Sequence, residues 1–307
     1  MKNPQTQLVL HPPAKVNLIL KVLGRLPNGY HSLWSIMQTV GLTDELEIRV
    51  SSNFRGVRLE CPGSALPSDS NNLVYRAAEA VLERSRSTIG IELKLSKHIP
   101  MGAGLGGGSS DAAATVMGLN YLLRMGWSVA EMTAIGQLLG SDVPFFFQAP
   151  SALVRGCGED LLPVTINGDR WMVLVNPGFP IATQRAYQEL DMIRSQEPEL
   201  SDVYKDFESR REFCWDDIVS IMANDFEDVL MDEFQALGDM RRQLMQAGAE
   251  VALLSGSGAT VFGVFQSEQD AWRAKSMMDA VPDWQVWVVP TGMSPLLSPV
   301  SLGFVTP

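Results

Sequence analysis

From Ala14 to Leu23 the chain reads AKVNLILKVL, with Val16, Leu18, Leu20 and Val22 alternating against Lys15, Asn17, Ile19 and Lys21. A period of two predicts a β-strand that carries Lys15 and Asn17 on one face. RLPNGYH follows as a turn rich in Pro, Asn and Gly, then SLWSIMQTVGL and the strand-like DELEIRV. NNLVYRAAEAVLERS has helical spacing, with Asn71 or Asn72 as its N-cap. IGIELKLSKHIP alternates again through Ile89, Ile91, Leu93 and Leu95. A helix over SSDAAATVMGLNYLLRMG is expected to end at Gly126, and a second begins at Ser128, where SVAE forms a capping box with Glu131, and runs to Gly140. SDVPFFFQ predicts a turn into an apolar strand.

A second unit is expected beyond about residue 175. WMVLVNPG reads as a strand, PIATQRAYQEL as a helix start, and the highly charged segment 193–217 as a mobile excursion. NDFEDVLMDEFQALGDMRRQLMQAG predicts one long amphipathic helix. VALLSGSGATVFGVF predicts two strands around a glycine turn, SEQDAWRAKSMMDA a helix and WQVWVVP a strand. The tail TGMSPLLSPVSLGFVTP predicts nothing. There is no internal repeat, and strands and helices mix without a steady βαβ rhythm, so the fold class is α+β.

Composition adds limits. A chain of 307 residues, 46% apolar and 19% charged, is expected to fold as one large or two medium domains. No apolar run approaches the roughly 18 residues a membrane span needs. The opening MKNPQTQLVLHPPAKVN lacks a signal peptide's apolar core, so a cytoplasmic protein with no membrane partner is expected. Cys61, Cys157 and Cys214 are far apart and odd in number, giving neither a disulfide framework nor a zinc pattern. The net charge of −11 argues against nucleic acid as a partner. That charge is uneven: residues 1–110 carry 12 Lys+Arg against 8 Asp+Glu, and 189–250 carry 6 against 17. A small polyanion meets less repulsion in the N-terminal half.

That half contains PMGAGLGGGSSD, residues 100–111. Glycines between a strand and a helix let backbone N–H groups approach an anion, and the helix N-terminus adds unpaired donors and partial positive charge. A flexible surface linker is the plain alternative, but linkers rarely join a strand to an alanine-rich helix. A Walker A loop needs Gly-Lys-Ser/Thr, and here Gly107 precedes Gly108 and Ser109. Gly102, Gly104 and Gly107 satisfy the dinucleotide pattern G-x-G-x-x-G, yet the acid about 20 residues on, Glu131, lies in a capping box instead of ending a strand.

The stretch resembles instead the phosphate loop of the GHMP kinase family, roughly P-x-x-x-G-L-G-S-S-A-A, with two added glycines before Ser109-Ser110. PAKVNLILKVLGRLPNGYHSL and SGSGATVFGVF resemble that family's first and third motifs at the right distances, so the resemblance covers nearly the whole chain. It implies a two-domain α+β architecture. Residues 1–175 would form an α+β nucleotide-binding domain, and 176–307 a ferredoxin-like α/β sandwich that closes the substrate site.

The resemblance also implies ATP and Mg²⁺ as cofactors and a small-molecule alcohol as substrate. GLGGGSS, AKVNL and GYHSL most resemble those members of the family that act on a cytidine diphosphate-linked polyol, and that resemblance implies such a substrate here. Homoserine or mevalonate as the alcohol, an inactive nucleotide-binding module and an NAD-binding oxidoreductase are the alternatives.

Site roles carry over by motif position. Pro100, Met101, Gly102, Ala103, Gly104, Leu105, Gly106, Gly107, Gly108, Ser109 and Ser110 would hold the nucleotide, with Ser110 also a metal contact. Lys97 and Asn72 are nucleotide candidates that read equally as a solvated lysine and a helix cap. Asp142 matches the catalytic aspartate, though alone it is a turn residue before Val143-Pro144. Lys15 would neutralise charge beside it. Asn17 would bind substrate, Tyr30 would stack on a base whose edge His31 contacts, and Thr183 and Tyr187 would close the pocket. Gly256, Ser257 and Gly258 form a second glycine turn that would pack near the phosphates, with a tight hairpin as the plain alternative. Asp111, an acid beside phosphate, is expected to face away from it.

Overall fold

In a computed structural model the described residues are 6–27, 29–148, 150–194 and 198–293. The first sheet contains β1 (Gln7–Leu10), and the long strands β2 (Pro13–Arg25) and β3 (His31–Thr43) start a second. Strands β4 (Glu45–Ser51) and β5 (Gly56–Glu60), helix α1 (Leu73–Ser85) and strand β6 (Gly90–Ser96) complete the first, in the order β1-β4-β6-β5. Parallel β5 and β6 are joined across α1. Asn72 is the N-cap of α1, its side chain accepting from the Val74 N–H.

The glycine stretch leaves β6 and enters α2 (Gly107–Leu122), followed by α3 (Val129–Leu139) with the expected Ser128–Glu131 capping box. The alanine run now has a reason. Ala112, Ala113 and Ala114 are all fully buried because α2 is covered on every side. A Cβ at Gly118 would fall 2.5 Å from Ile48 Cδ1, so small residues let the helix lie directly on the first sheet.

SDVPFFFQ departs from the expected turn and strand. Pro144–Phe147 form a 3₁₀ turn, and Phe145, Phe146 and Phe147 all pack into the core beneath α3. An apolar triplet cannot tell a buried strand from a buried turn, and Pro144 at its start favours the helical turn. Next come β7 (Ser151–Gly156), β8 (Asp160–Pro163), β9 (Thr165–Asn167) and β10 (Trp171–Asn176).

The C-terminal part holds α4 (Thr183–Ile193), α5 (Asp202–Glu208), β11 (Glu212–Cys214), α6 (Trp215–Ile221), β12 (Ala223–Asn224), α7 (Glu227–Glu233), α8 (Gln235–Gln246), β13 (Val251–Leu254), β14 (Val261–Phe265), α9 (Glu268–Met278) and β15 (Gln285–Pro290). The second sheet runs β12-β2-β3-β7-β8 and the third β13-β14-β10-β15, while β11 pairs with β9. The strand Trp171–Asn176 spans the expected division at 175 and belongs to the third sheet.

Two expectations here are corrected. Within the charged segment, 198–217 is folded: Phe207, Phe213 and Trp215 are buried, Phe207 stacks on Phe213 at 4.9 Å, and Trp215 donates to the Gly168 carbonyl. Charge dominated the pattern, but spaced aromatics anchor the segment. Residues 195–197 of it, and 294–307 of the tail, lie outside the described residues. The single long helix is two, α7 and α8, broken at Phe234 (φ −113°, ψ 88°), whose ring stacks against Phe179. No glycine or proline marks that break, because tertiary packing of the ring makes it. Among the described residues no helix is long and apolar enough to cross a membrane.

Candidate active site

Strand β2 sits inside the second sheet and is buried on both faces over Pro13–Leu20. Lys15 and Asn17 are therefore buried polar groups, and such groups require partners. Lys15 Nζ donates to Asn17 Oδ1 at 2.7 Å and lies 3.4 Å from Asp142 Oδ2. Asn17 Nδ2 donates to Ser35 Oγ at 2.9 Å, and Ser35 in turn to the Ile19 carbonyl. The lysine is thus aimed by a hydrogen-bonded chain. Asp142 stands on the turn before the 3₁₀ helix, its side chain 31% exposed, so the buried ammonium faces a carboxylate still open to a ligand.

The glycine loop passes directly over this pair. Lys15 N–H donates to the Leu105 carbonyl at 2.9 Å. Gly102, Gly104 and Gly106 all have positive φ. Added Cβ atoms at Gly106, Gly107 and Gly108 would approach the Lys15 stem, Ile99 with Lys97, and Leu73 respectively. The loop therefore spans from Lys15 to Lys97 and then to the start of α1. Helix α2 begins at Gly107 with no side-chain cap at Gly106, which leaves its first N–H groups for a ligand.

A second glycine turn meets the first. Ser255 Oγ donates to the Gly104 carbonyl at 2.9 Å and Thr260 N–H to the Ala103 carbonyl at 3.2 Å. Asn224 Nδ2 donates to the Leu254 and Gly256 carbonyls, pinning that turn, and Thr183 Oγ1 and Ser257 Oγ lie 2.9 Å apart.

At the other end, the His31 ring stacks on Tyr187 with centroids 4.6 Å apart, and its Nε2 lies 2.8 Å from Asp191 Oδ1. A carboxylate only accepts, so Nε2 carries a proton. Burial first, then the charges of Asp142 and Cys157, push the Tyr187 phenol above its usual range. Tyr30 is 68% exposed at the cleft rim. The His31 ring covers one face of Tyr187, and Phe226 meets that ring edge-on.

One cleft of about 1470 Å³ joins these groups. Lys15, Asn17, Tyr30, His31, Asn72, Lys97, Pro100 to Ser109, Asp142, Thr183 and Tyr187 all line it, as do Gly256 and Ser257. Ser110 does not. It is fully buried behind the loop and its Oγ has no hydrogen-bond partner.

Lys97 is no solvated lysine: Nζ is paired with Asp44 and donates to Asp111 Oδ2 at 2.7 Å. Asp111 aims its carboxylate at Lys97 beneath the loop, and the residue still borders the cleft. Burial, opposed by Lys97 and aided by Asp44, pushes its carboxyl up to about 7. Burial works to lower the Lys97 ammonium, but Asp111 and Asp44 outweigh it and hold it above its usual value. Sequence reasoning missed Asp44, Asp191, Asn224 and Ser255. Asp191 follows Tyr187 by four on a helix and was open to discovery by spacing, but Asp44 sits in an ordinary strand junction with no signal of its own.

Residues 72–149 match the GHMP kinases N terminal domain and residues 206–282 the GHMP kinases C terminal domain. The 4-diphosphocytidyl-2-C-methyl-D-erythritol kinase of Geobacter metallireducens is 40% identical over 283 residues, 92% of this chain and 98% of that protein. Its namesake in Geobacter sulfurreducens is 42% identical over 274 residues, 89% of this chain and 95% of that protein. A crystal structure of 4-(cytidine 5'-diphospho)-2C-methyl-D-erythritol kinase superposes with a TM-score of 0.75 at 30% identity, covering 93% of this chain and 99% of that one. Homoserine kinase from Cytophaga hutchinsonii shares the fold, with a TM-score of 0.75 at 21% identity over 96% of this chain and 98% of that one.

Proposed function

The chain belongs to the GHMP kinase family, and from that premise we propose that it transfers the γ-phosphoryl group of ATP to the 2-hydroxyl of 4-diphosphocytidyl-2-C-methyl-D-erythritol, in non-mevalonate isoprenoid biosynthesis. The observation that carries this is the buried Lys15 held 3.4 Å from Asp142 beneath the glycine loop, with His31 and Tyr187 stacked at the far end of the same cleft. Relatives named for this activity match over nine-tenths of the chain. Residues 1–175 bind the nucleotide in this reading, and 176–307 close the substrate end.

Phosphoryl transfer asks the protein chiefly for position and charge. Asp142 accepts the acceptor hydroxyl's proton or a hydrogen bond from it, turning the oxygen toward the phosphorus. Lys15 lies buried there, its ammonium placed to neutralise the transferring group. The loop amides and the α2 N-terminus hold the phosphates. Tyr30, His31 and Tyr187 offer aromatic surface to the cytosine, and Thr183 closes over the polyol.

Among the described residues no three His, Cys, Asp or Glu come together as a metal cage. The orphaned Ser110 Oγ is closed off behind the loop, so it would contact Mg²⁺ brought in with the nucleotide only as the loop rearranges around the phosphates. Such an ion would supply charge neutralisation between the phosphates. The net charge of −11 supports a small-molecule partner over nucleic acid and accords with a cytoplasmic enzyme.

The test is ADP release from purified protein with ATP, Mg²⁺ and, in separate reactions, the cytidine substrate, homoserine and mevalonate. Turnover of the first is expected. Brisk turnover of another alcohol with none of the cytidine substrate overturns the assignment.

A further inference from the structure

We propose that Asp44 is a positioning residue for the glycine loop, holding both of the loop's ends in the shape that receives the triphosphate. This role rests on the nucleotide reading of the cleft above. Asp44 is fully buried between β3 and β4 and does not line the cleft. Its Oδ1 accepts from the backbone N–H groups of His98 at 2.5 Å and Ile99 at 2.9 Å, the two residues that enter the loop. Its Oδ2 takes the Lys97 ammonium, and that same Nζ reaches Asp111 Oδ2 at 2.7 Å, on α2 one turn beyond its start. One carboxylate thus gathers residues 97, 98 and 99 and, through one ammonium, residue 111. Everything between them is the loop.

The clamp is also referenced to the Lys15–Asp142 pair. Asp44 N–H donates to the Pro12 carbonyl at 3.0 Å, and Lys15 N–H, three residues on, donates to the Leu105 carbonyl at 2.9 Å within the loop. The strand that carries Lys15 therefore fixes the loop at its ends and its middle.

Stability alone accounts poorly for the arrangement. Two carboxylates share one cation under a site meant for an anion, and Asp111 Oδ1 has no partner at all. Apolar residues of similar volume often serve as well where only stability is at stake. What the clamp supplies is restriction: a segment with five glycines between Gly102 and Gly108 has many shapes open to it. If only a fraction of molecules hold the receptive shape, apparent nucleotide affinity drops by that fraction, while molecules that have bound ATP react normally. Loosening the clamp should therefore raise the KM for ATP and spare kcat.

Asp44→Asn keeps the size and one acceptor but removes the charge. Its dissociation constant for a non-hydrolysable ATP analogue, read by calorimetry, is expected to rise about tenfold, with the KM for ATP rising in parallel. At saturating ATP, kcat and the KM for the alcohol should stay within about twofold of wild type. Circular dichroism and a thermal melt establish that the variant is folded. Asp111→Asn loosens the other end and leaves the His98 and Ile99 contacts intact, so it carries the test if Asp44→Asn does not fold; a rise of about threefold or more in the same constants is expected. Unchanged analogue affinity in the folded variants overturns the role, as does a fall in kcat with the KM for ATP unchanged. Wild-type protein that fails to bind the analogue overturns the nucleotide reading itself, and this role with it.

Discussion

Gly104→Ala places one methyl group where the two glycine turns meet. Gly104 has φ +75°, and a Cβ built there falls on the Ser255 carbonyl oxygen, 2.9 Å from that carbonyl's carbon and 3.1 Å from the Gly258 oxygen. All three obstacles are backbone atoms, so no side-chain rotation relieves them. Left-handed backbone at a residue with a Cβ costs about 1–2 kcal/mol, and forcing an extra methyl into a packed interior costs about 1–3 kcal/mol more. The combined loss of about 2–5 kcal/mol lowers Tm by roughly 3–8 °C in a chain of this size. The same displacement breaks the bonds from Ser255 Oγ to the Gly104 carbonyl and from Thr260 N–H to the Ala103 carbonyl, so ATP affinity should fall as well. Gly108→Ala is the internal comparison. Its Cβ would meet only Leu73 Cδ1, at an ordinary 3.6 Å. Alanine is the better helix former by about 1 kcal/mol, so Tm should hold or rise by a few degrees. Thermal melts of the three proteins decide the matter, and equal Tm values for Gly104→Ala and wild type would refute the interlocking of the two turns.

Asp142→Asn is expected to fold and bind ATP while kcat falls about 10²-fold or more, measured by ADP release; activity near wild type would remove Asp142 from its role. Lys15→Met should lower kcat by a similar order and also leave Asn17 Oδ1 without its partner, whereas a change confined to the KM for the alcohol would argue against charge neutralisation. Stability also reports on Asp111, whose carboxyl is raised from 3.8 to about 7. The folded state holds that proton more tightly than the unfolded chain, so its contribution is full below about pH 4 and is lost as pH rises through about 7. Asp111→Asn should therefore give a flatter curve of Tm against pH between about 4 and 7, and parallel curves would contradict that sign. Phe213→Ala, in the charged segment, should cost about 3 kcal/mol or more because the ring is buried against Phe207; an unchanged melt would mean that 198–217 contributes nothing to the fold.

The motifs were legible because each is local. PMGAGLGGGSSD announces bare backbone ahead of a helix, and AKVNL announces a strand whose alternate positions are polar. The Ser128–Glu131 capping box and the Asn72 cap were likewise set by spacing within one turn. The misread segments were those in which a distant partner decides. PFFF became a 3₁₀ turn because it packs under α3, and the helix breaks at Phe234 because that ring finds Phe179.

The sequence by itself determined most of the elements, the order of the three motifs and the kinds of side chain available to the chemistry, since these follow from periodicity and residue type along the chain. Tertiary structure alone decided which groups are charged neighbours. Lys15 meets Asp142 across 127 positions only because β2 is buried inside a sheet, where an ammonium must find partners. Lys97 belongs to Asp44 and Asp111 because three chain segments converge under the loop, and burial then sets their protonation. Coulomb energy and desolvation depend on distance in space and on exclusion of water, and neither is written in spacing along a chain.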